Sequence, residues 1–175
     1  MHYNLCMSLL PEIEHRYSVK NFADTPVEKD KLERILDAGR RAPSAKNRQP
    51  WRFIVIDDAD IRTQIQTAAF GQDHVGQAPV IIAGCTTNVD YRMPNGLLSY
   101  PIDIAIAMTF MTIQSQVESL GSCIVTTFDE QEIKEILTIP YSMRVVMLLL
   151  VGYPAESRIP APRKPLNRIV SYNHW

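Results

Sequence analysis

The sequence is poor in cysteine, and this scarcity argues against two kinds of site. Three cysteines occur in 175 residues, far apart at positions 6, 85 and 123, and no CxxC is present. Because their number is odd and their spacing is wide, neither a disulfide framework nor a zinc site is expected. The four histidines are also scattered, without metal-ligand spacing. We therefore predict no metal site and a reducing compartment, the cytoplasm.

An excess of charge is also missing. The chain carries 18 basic and 19 acidic residues, a formal net charge of -1. Without a net basic field, nucleic acid is not an expected partner. No apolar run approaches the roughly 20 residues that a membrane-spanning helix needs. The apolar stretch near the N-terminus lacks a basic region and a small-residue cleavage site, so neither a membrane span nor a signal peptide is predicted.

The glycine-rich motifs of the common nucleotide-binding folds are absent. Residues 71–76, GQDHVG, have the GxxxxG spacing of a P-loop, but Gln77 and Ala78 follow where Lys and Ser or Thr are required. Neither GxGxxG nor the GxSxG elbow of the α/β-hydrolases occurs. The composition, 46% hydrophobic and 21% charged, is that of a single globular domain, which we place over residues 1–175.

Helical and strand patterns alternate along the chain. Thr25 as N-cap, Pro26 and Glu28 as a capping box predict a helix start, and Asp58 or Asp60 and Asp129 predict two more. Apolar and β-branched runs predict four strands, at residues 51–56, 79–85, 122–127 and 145–151. Because the last run is continuously apolar, it is expected at the centre of a sheet that is covered on both faces.

Two further segments suggest association with another surface. Residues 101–120 predict a long helix that is apolar around almost its whole circumference, as expected of a central helix or a subunit interface. After Gly152 the tail contains four prolines, too many for a helix. We interpret residues 154–175 as an extended arm that crosses another surface.

Hydrogen-bond donors are concentrated on both sides of the first long helix. In an extended segment, side chains two residues apart point the same way, so Arg16, Ser18 and Lys20 would face one site. That set suits an elongated ligand with a phosphate at one end and a polar anionic group at the other. The second cluster, SAKNRQ at residues 44–49, precedes a strand. The alternative is that these are solvated loop charges, with Asn47 and Gln49 only satisfying the turn.

These segments resemble the FMN-dependent nitroreductase family. The resemblance rests on five stretches that span nearly the whole chain in order: HRYSVKNF at 15–22, RRAPSAKNRQPWRFIVI at 40–56, IDIAIAMTFMTIQSQVESLG at 102–121, IPYSMRVVMLLLVGYP at 139–154 and RKPLNRIV at 163–170. Each piece is weak alone, and the combination is specific. The resemblance implies an α+β fold, a mostly antiparallel sheet between helices, and an intertwined homodimer with FMN in its interface and residues 154–175 reaching the partner.

The resemblance also implies which residues contact the flavin. Arg16 would take the phosphate, with Tyr17 and Ser18 beside the ribityl chain, and Lys20 would lie near N1 and O2 of the ring. Arg163 would be a second phosphate ligand. The remaining contacts would come from the other subunit, at Pro43, Ser44, Ala45 and Asn47, and from the ring edge, at Ile124, Thr126 and Thr127.

The implied activity is hydride transfer from NAD(P)H through FMN to a nitroaromatic, a quinone or a similar small acceptor. Because the flavin carries this chemistry, no catalytic side chain is required. Three alternatives stay open: a flavin-binding redox module without turnover, a dehalogenase-like enzyme, and a flavin-destroying enzyme of the same superfamily. The sequence does not choose between NADH and NADPH.

Overall fold

Four antiparallel strands form the central sheet. The computed structural model describes residues 9–157 and 160–175. Within these residues the strands run in the order β1-β2-β4-β3 and every neighbouring pair is antiparallel. Their bounds are Trp51–Ile56 (β1), Val80–Thr86 (β2), Gly121–Val125 (β3) and Arg144–Gly152 (β4). This architecture confirms the predicted α+β class and the predicted central position of the last strand.

Six helices of the described chain cover the sheet or its edges. They are α1 (Pro11–Glu14), α2 (Lys29–Arg40), α3 (Ala59–Ala68), α4 (Asp73–Gln77), α5 (Tyr100–Val117) and α6 (Glu130–Ile136). Short 3-10 turns lie at Ala45–Asn47 and Leu166–Arg168. The predicted caps at Asp58 and Asp129 are confirmed, because each carboxylate accepts hydrogen bonds from two backbone N–H groups of the following turn.

The core has two halves, one on each face of the sheet. Strands β2 and β4 alternate between them: Ile81 and Leu150 pack with α3, α4 and α6, whereas Ile82 and Leu149 pack with α2 and α5. All four of these side chains are fully buried. This explains why both strands read as continuous apolar runs.

The predicted start of α2 is wrong. The helix begins at Lys29, and the N-cap, Glu28, makes no side-chain capping bond. The Thr25 N–H donates to Ala23 O instead of opening a helix. The Glu28 carboxylate accepts from the Tyr153 hydroxyl at 2.8 and 2.9 Å, so it is not free to complete a capping box.

Helix α5 is not buried all round within one protomer. Its buried side packs on the sheet and α2, but Ile102, Phe110 and Val117 are 42%, 38% and 53% exposed. These positions follow one another along the helix at intervals of about two turns, so they form one apolar stripe. Of the two explanations for an all-apolar helix, the central helix is therefore wrong for the single protomer.

The described residues also limit what other sites the fold holds. Among residues 9–157 and 160–175, no helix is long and apolar enough to cross a membrane. No group of three or more His, Cys, Asp or Glu in these ranges could hold a metal ion. Cys85 and Cys123 are free and buried, and Cys6 lies outside the described residues. The cytoplasmic location stays a prediction.

Candidate functional site

The first donor cluster lies along the free edge of β3. Ser18 forms a parallel bridge with Ser122, and the Val19 N–H donates to Ser122 O at 3.0 Å. Val19 is buried and Tyr17 packs against the core, whereas Ser18 and Lys20 are exposed and Arg16 is half-buried. Burial therefore alternates as expected at Ser18, Val19 and Lys20, whereas Arg16 and Tyr17 are equally half-buried, and a shared site for Arg16, Ser18 and Lys20 stays a prediction.

The pairing with β3 brings a second predicted group to the same place. Lys20 follows two residues after the Ser18 bridge and acts electrostatically on Cys123, the residue before Ile124. Ile124 is 40% exposed although its neighbours in β3 are buried. Thr126 and Thr127 follow the strand and are exposed. Exposed side chains of both predicted groups thus lie at the same edge of the sheet.

Helix α4 adds two residues that sequence reasoning missed. The Gln72 side chain donates to Thr127 O at 2.9 Å, which ties the start of α4 to the end of β3. Burial, assisted by the positive charge of Lys20, lowers the pKa of His74, so its imidazole is neutral near pH 7. Burial raises the pKa of the Cys123 thiol even though Lys20 opposes the rise. No spacing rule would have found His74, since only the fold brings it near Lys20.

The second donor cluster is a strained loop between α2 and β1. Lys46, Asn47 and Gln49 all have positive φ angles near 50°, a region that non-glycine residues enter infrequently. The Gln49 N–H donates to Ser44 Oγ at 2.9 Å, and the Gln49 side-chain amide donates to Asn47. Gln49 and Asn47 therefore contribute to the turn, while the Ser44 hydroxyl hydrogen and the Asn47 amide donors stay available.

A buried carboxylate holds this loop in place. Asp103, in the first turn of α5, is 2% exposed and accepts the Ala45 N–H at 2.8 Å. Its other oxygen is buried without a hydrogen-bond partner among the described residues. Sequence reasoning missed Asp103, although one acid inside an otherwise apolar helix was a usable signal.

The two donor clusters do not meet within one protomer. The loop leads into β1 and the first cluster runs beside β3, and these strands are the opposite edges of the sheet. Three strand spacings separate the edges by about 14 Å. The fold therefore brings residues 18 and 19 against Ser122, in the strand that leads to residues 124–127, but not against Pro43, Ser44, Ala45 and Asn47.

Arg163 joins neither cluster in this structure. It lies in the segment 160–175, which is exposed almost throughout, and it makes no hydrogen bond or ion pair with another described residue. Residues 154–156 behave differently: Pro154 bridges Phe22, and the Ala155 N–H donates to Asn21 O. The start of the predicted arm thus belongs to the protomer's own surface.

The surface at the β3 edge, formed by residues 16–20 and 124–127, is open on one side, and we call it the half-site. A cavity of about 630 Å³ exists between α2 and β1, lined by residues that include Trp51 and Phe53, but Arg16, Ser18 and Lys20 do not contribute to it. In extended chain, Arg16 and Lys20 are about 13 Å apart, with the Ser18 hydroxyl between them. This donor set fits a long ligand with a phosphate at one end and, at the other, a polar group that can become anionic, as the FMN ring does on reduction, and it leaves one side to be closed by another surface.

Comparison with known proteins identifies the class to which this fold and half-site belong. The profile of the nitroreductase family matches residues 13–76 and 66–153, most of the chain. The chain belongs to the nitroreductase family. The predicted family and fold are confirmed.

Three relatives illustrate the similarity. A "NADH dehydrogenase" of Thermus thermophilus is 30% identical, with 89% of this chain and 91% of the relative aligned. An "FMN reductase [NAD(P)H]" of Bacillus subtilis is 29% identical over 87% and 68% of the two chains. The crystal structure of a nitroreductase family protein from Clostridium difficile 630 has a TM-score of 0.83 and 34% identity, covering 97% of this chain and all of the other.

Proposed function

We propose that this chain is an FMN-dependent oxidoreductase that moves hydride from NAD(P)H to a nitroaromatic, a quinone or a similar small acceptor, and that it works as a homodimer. The coarser part of this statement is confirmed by family membership together with the relatives' names: an NAD(P)H-dependent flavin oxidoreductase that uses FMN. The acceptor, the dimer and the role of each site residue are the proposal.

One observation supports the assignment of residues most directly. The segment 16–20 touches the free edge of β3, where Ser18 bridges Ser122, and Ser18 and Lys20 are exposed while Val19 is buried in the core. A fully solvated loop would have no reason to be fixed to an edge strand at Ser18 and Val19. The pairing with Ser122 fixes the position of this segment before any ligand arrives, which lowers the entropy cost of binding.

Each residue has a separate task in this proposal. Bound FMN supplies the hydride acceptor and donor. Arg16 binds the phosphate, since a guanidinium can donate two parallel hydrogen bonds to phosphate oxygens, and Arg163 of the arm adds a second cation. Tyr17 and Ser18 position the ribityl chain. Lys20 places a positive charge beside N1 and O2, where reduction adds negative charge.

The remaining predicted residues complete the surroundings of the ring. Ile124 offers apolar contact, while the chain at Thr126 and Thr127 offers backbone N–H groups. The loop at Pro43, Ser44, Ala45 and Asn47 lies at the opposite sheet edge, so we assign it to the flavin of the partner subunit. This arrangement explains why a loop far from the half-site is held so firmly.

A flavin titration combined with an acceptor panel tests the proposal. The purified protein is expected to be yellow, to lose FMN on denaturation and to turn over nitroaromatics and quinones with NADH or NADPH. Arg16→Ala should weaken FMN retention, and Lys29→Ala, which removes an exposed helix cation paired with Glu33 in the described chain, should not. A colourless protein whose visible spectrum does not respond to FMN would refute the cofactor; FMN binding without turnover would favour the redox module.

A further inference from the structure

A second group of cations surrounds Tyr91, apart from the half-site at β3. The Arg48 guanidinium lies 3.8 Å from the centre of the Tyr91 ring, and Lys46 Nζ lies 5.5 Å from it. Neither cation forms an ion pair with a carboxylate of the described chain, and the neighbouring acid Asp90 pairs with no cation there. The ring therefore holds two positive charges that no carboxylate neutralises.

The backbone presents these cations in a fixed direction. Lys46 has a φ of 53°, and the loop is held at Ala45 by Asp103 and at Gln49 by Ser44. Strained backbone of this kind persists only where surrounding contacts enforce it, and it is concentrated at ligand sites. The ring of Tyr91 and the loop anchors together pre-organise Arg48.

A small polar cavity lies next to this group. Its volume is about 320 Å³, and two arginines, Arg48 and Arg52, contribute to its wall. The Asn88 amide nitrogen is buried without a hydrogen-bond partner in the described chain. Cationic and neutral donors are thus present together, and no carboxylate lines the cavity; its other lining residues are Gln49, Pro50, Trp51 and Thr87.

We propose that this cavity binds the diphosphate of NAD(P)H, with Arg48 as the residue that determines affinity for the phosphorylated donor. This inference rests on the proposed function, which places residues 43–47 beside the partner's flavin, directly before Arg48 in the chain. A donor whose nicotinamide reaches that ring needs cations for its diphosphate at a short distance. A planar guanidinium pre-set by an aromatic ring is well suited to phosphate oxygens.

Binding of ADP, which carries the diphosphate without the nicotinamide, tests the site independently of turnover. Calorimetry on the FMN-loaded protein is expected to show ADP binding that weakens about tenfold in Arg48→Ala, equivalent to one lost charge-assisted hydrogen bond. Tyr91→Phe keeps the ring face and should bind ADP like the parent, whereas Tyr91→Leu should bind it more weakly. Lys29→Ala is the charge-matched control and should bind normally.

Steady-state kinetics show whether the anionic group that Arg48 binds belongs to the nicotinamide donor or to an anionic acceptor. Arg48→Ala should raise the KM for NADPH and NADH about tenfold with little change in kcat. The KM for N-benzyl dihydronicotinamide should stay unchanged, because this donor carries no diphosphate. An Arg48→Ala effect confined to nitrobenzoate, and absent with neutral nitrobenzene and with both donors, would overturn the proposal in favour of an acceptor subsite.

Failure of this inference differs from failure of the proposed function. Normal FMN content and turnover together with unchanged ADP binding in Arg48→Ala would refute the diphosphate site alone. Absence of FMN from the parent protein would refute the proposed function, and ADP titration of that protein would still report whether the Arg48 cavity binds a diphosphate.

Discussion

Lys20 is the single side chain on which the proposed chemistry depends most. It is exposed, forms no ion pair within the described chain, and acts electrostatically on both His74 and Cys123. We expect Lys20→Ala to slow reduction of the flavin by NAD(P)H roughly a hundredfold, since loss of one group that stabilises developing negative charge has that effect in other enzymes. Stopped-flow absorbance of the visible flavin band measures this rate.

Lys20→Arg is the matched variant for this test, since it keeps the charge and should retain more of the reduction rate than the alanine variant. An unchanged rate and an unchanged flavin potential in Lys20→Ala would remove the role given to Lys20 without affecting the family assignment.

Asp103 is a positioning residue whose contribution is measurable without flavin. Asp103→Ala removes the acceptor of the Ala45 N–H, a hydrogen bond to a charged group of the kind worth about 1.5–3 kcal/mol. Hydrogen exchange of the Ala45 amide should therefore accelerate about tenfold or more, because local opening becomes easier. Asp103→Asn, which keeps an acceptor oxygen, should change exchange less. Equal exchange in both variants and the parent would show that the loop is held by other contacts.

At the scale of elements, Gly121 permits the contact between residues 16–20 and β3. A Cβ at this position would lie 2.3 Å from Val19 Cγ2, far inside contact distance. Gly121→Ala should therefore displace the segment, weaken FMN binding and lower the free energy of unfolding by about 1–3 kcal/mol, the usual range for overpacking. Chemical denaturation and flavin titration measure the two effects.

A double-mutant cycle provides the control for Gly121→Ala. Val19→Ala removes the methyl groups that clash, so Gly121→Ala in that background should cost less than in the parent. Gly96→Ala, where no atom lies within 4 Å of the new Cβ but φ is +85°, measures the cost of adding alanine at a distant glycine. If the losses in free energy of unfolding caused by Val19→Ala and Gly121→Ala simply added in the double variant, the steric explanation would be contradicted.

Glu130 joins α6 to β4 and should make stability depend on pH. Burial raises its pKa, but hydrogen bonds from Arg144, the Val145 N–H and Lys134 outweigh burial, so the net pKa is lowered. A carboxyl whose pKa is lower in the folded state stabilises the protein above its ordinary value of about 4.3, and this contribution is lost as pH falls through the folded pKa.

Glu130→Gln tests that linkage. Near pH 7 it should lower the free energy of unfolding by about 3 kcal/mol, since it leaves the buried ammonium of Lys134 without its counter-charge. The difference from the parent should shrink at acid pH, where the parent's Glu130 is protonated as well. Glu33→Gln, in an exposed pair with Lys29, should change stability by less than about 1 kcal/mol. A pH-independent difference would rule out the linkage.

Local signals predicted most elements correctly, and tertiary contacts explain the failures. Asp58 and Asp129 cap helices because nothing else competes for their carboxylates. Thr25 and Glu28 were predicted to form a capping box, but Tyr153, 125 residues away from Glu28, donates to the Glu28 carboxylate instead. The short helix α4 was not predicted, because five residues carry too little periodicity.

The distinction between local signals and tertiary contacts applies to the candidate site as well. The exposure of Ser18 and Lys20 on either side of buried Val19 is a local property of the chain and was predictable from spacing. The positions of His74 and Asp103 were not, because the first depends on α4 packing near β3 and the second on α5 packing beside a loop 58 residues away.

At the scale of the whole molecule, two apolar surfaces of the described chain are exposed and are not covered by other described residues of the protomer. One is the stripe of α5 at Ile102, Phe110 and Val117, and the other is the segment 160–175, where Leu166 is 69% and Tyr172 is 83% exposed. Large exposed apolar surfaces are characteristic of interaction sites. Together with the half-site at β3, which lacks its second wall, they favour a dimer in which each protomer completes the other.

We therefore expect an obligate dimer, because interfaces of this kind bury roughly 2,000 Å² or more and resemble a divided core. Deletion from Pro160 onward should loosen the dimer and release FMN together, since it removes both the exposed apolar side chains and Arg163. Arg163→Ala should weaken FMN binding while the dimer persists, because only one phosphate contact is lost. Light scattering and flavin absorbance during dilution measure both properties for each variant. A folded monomer of the parent at micromolar concentration, or a truncated protein that remains dimeric and yellow, would refute the assignment of the arm to the partner subunit.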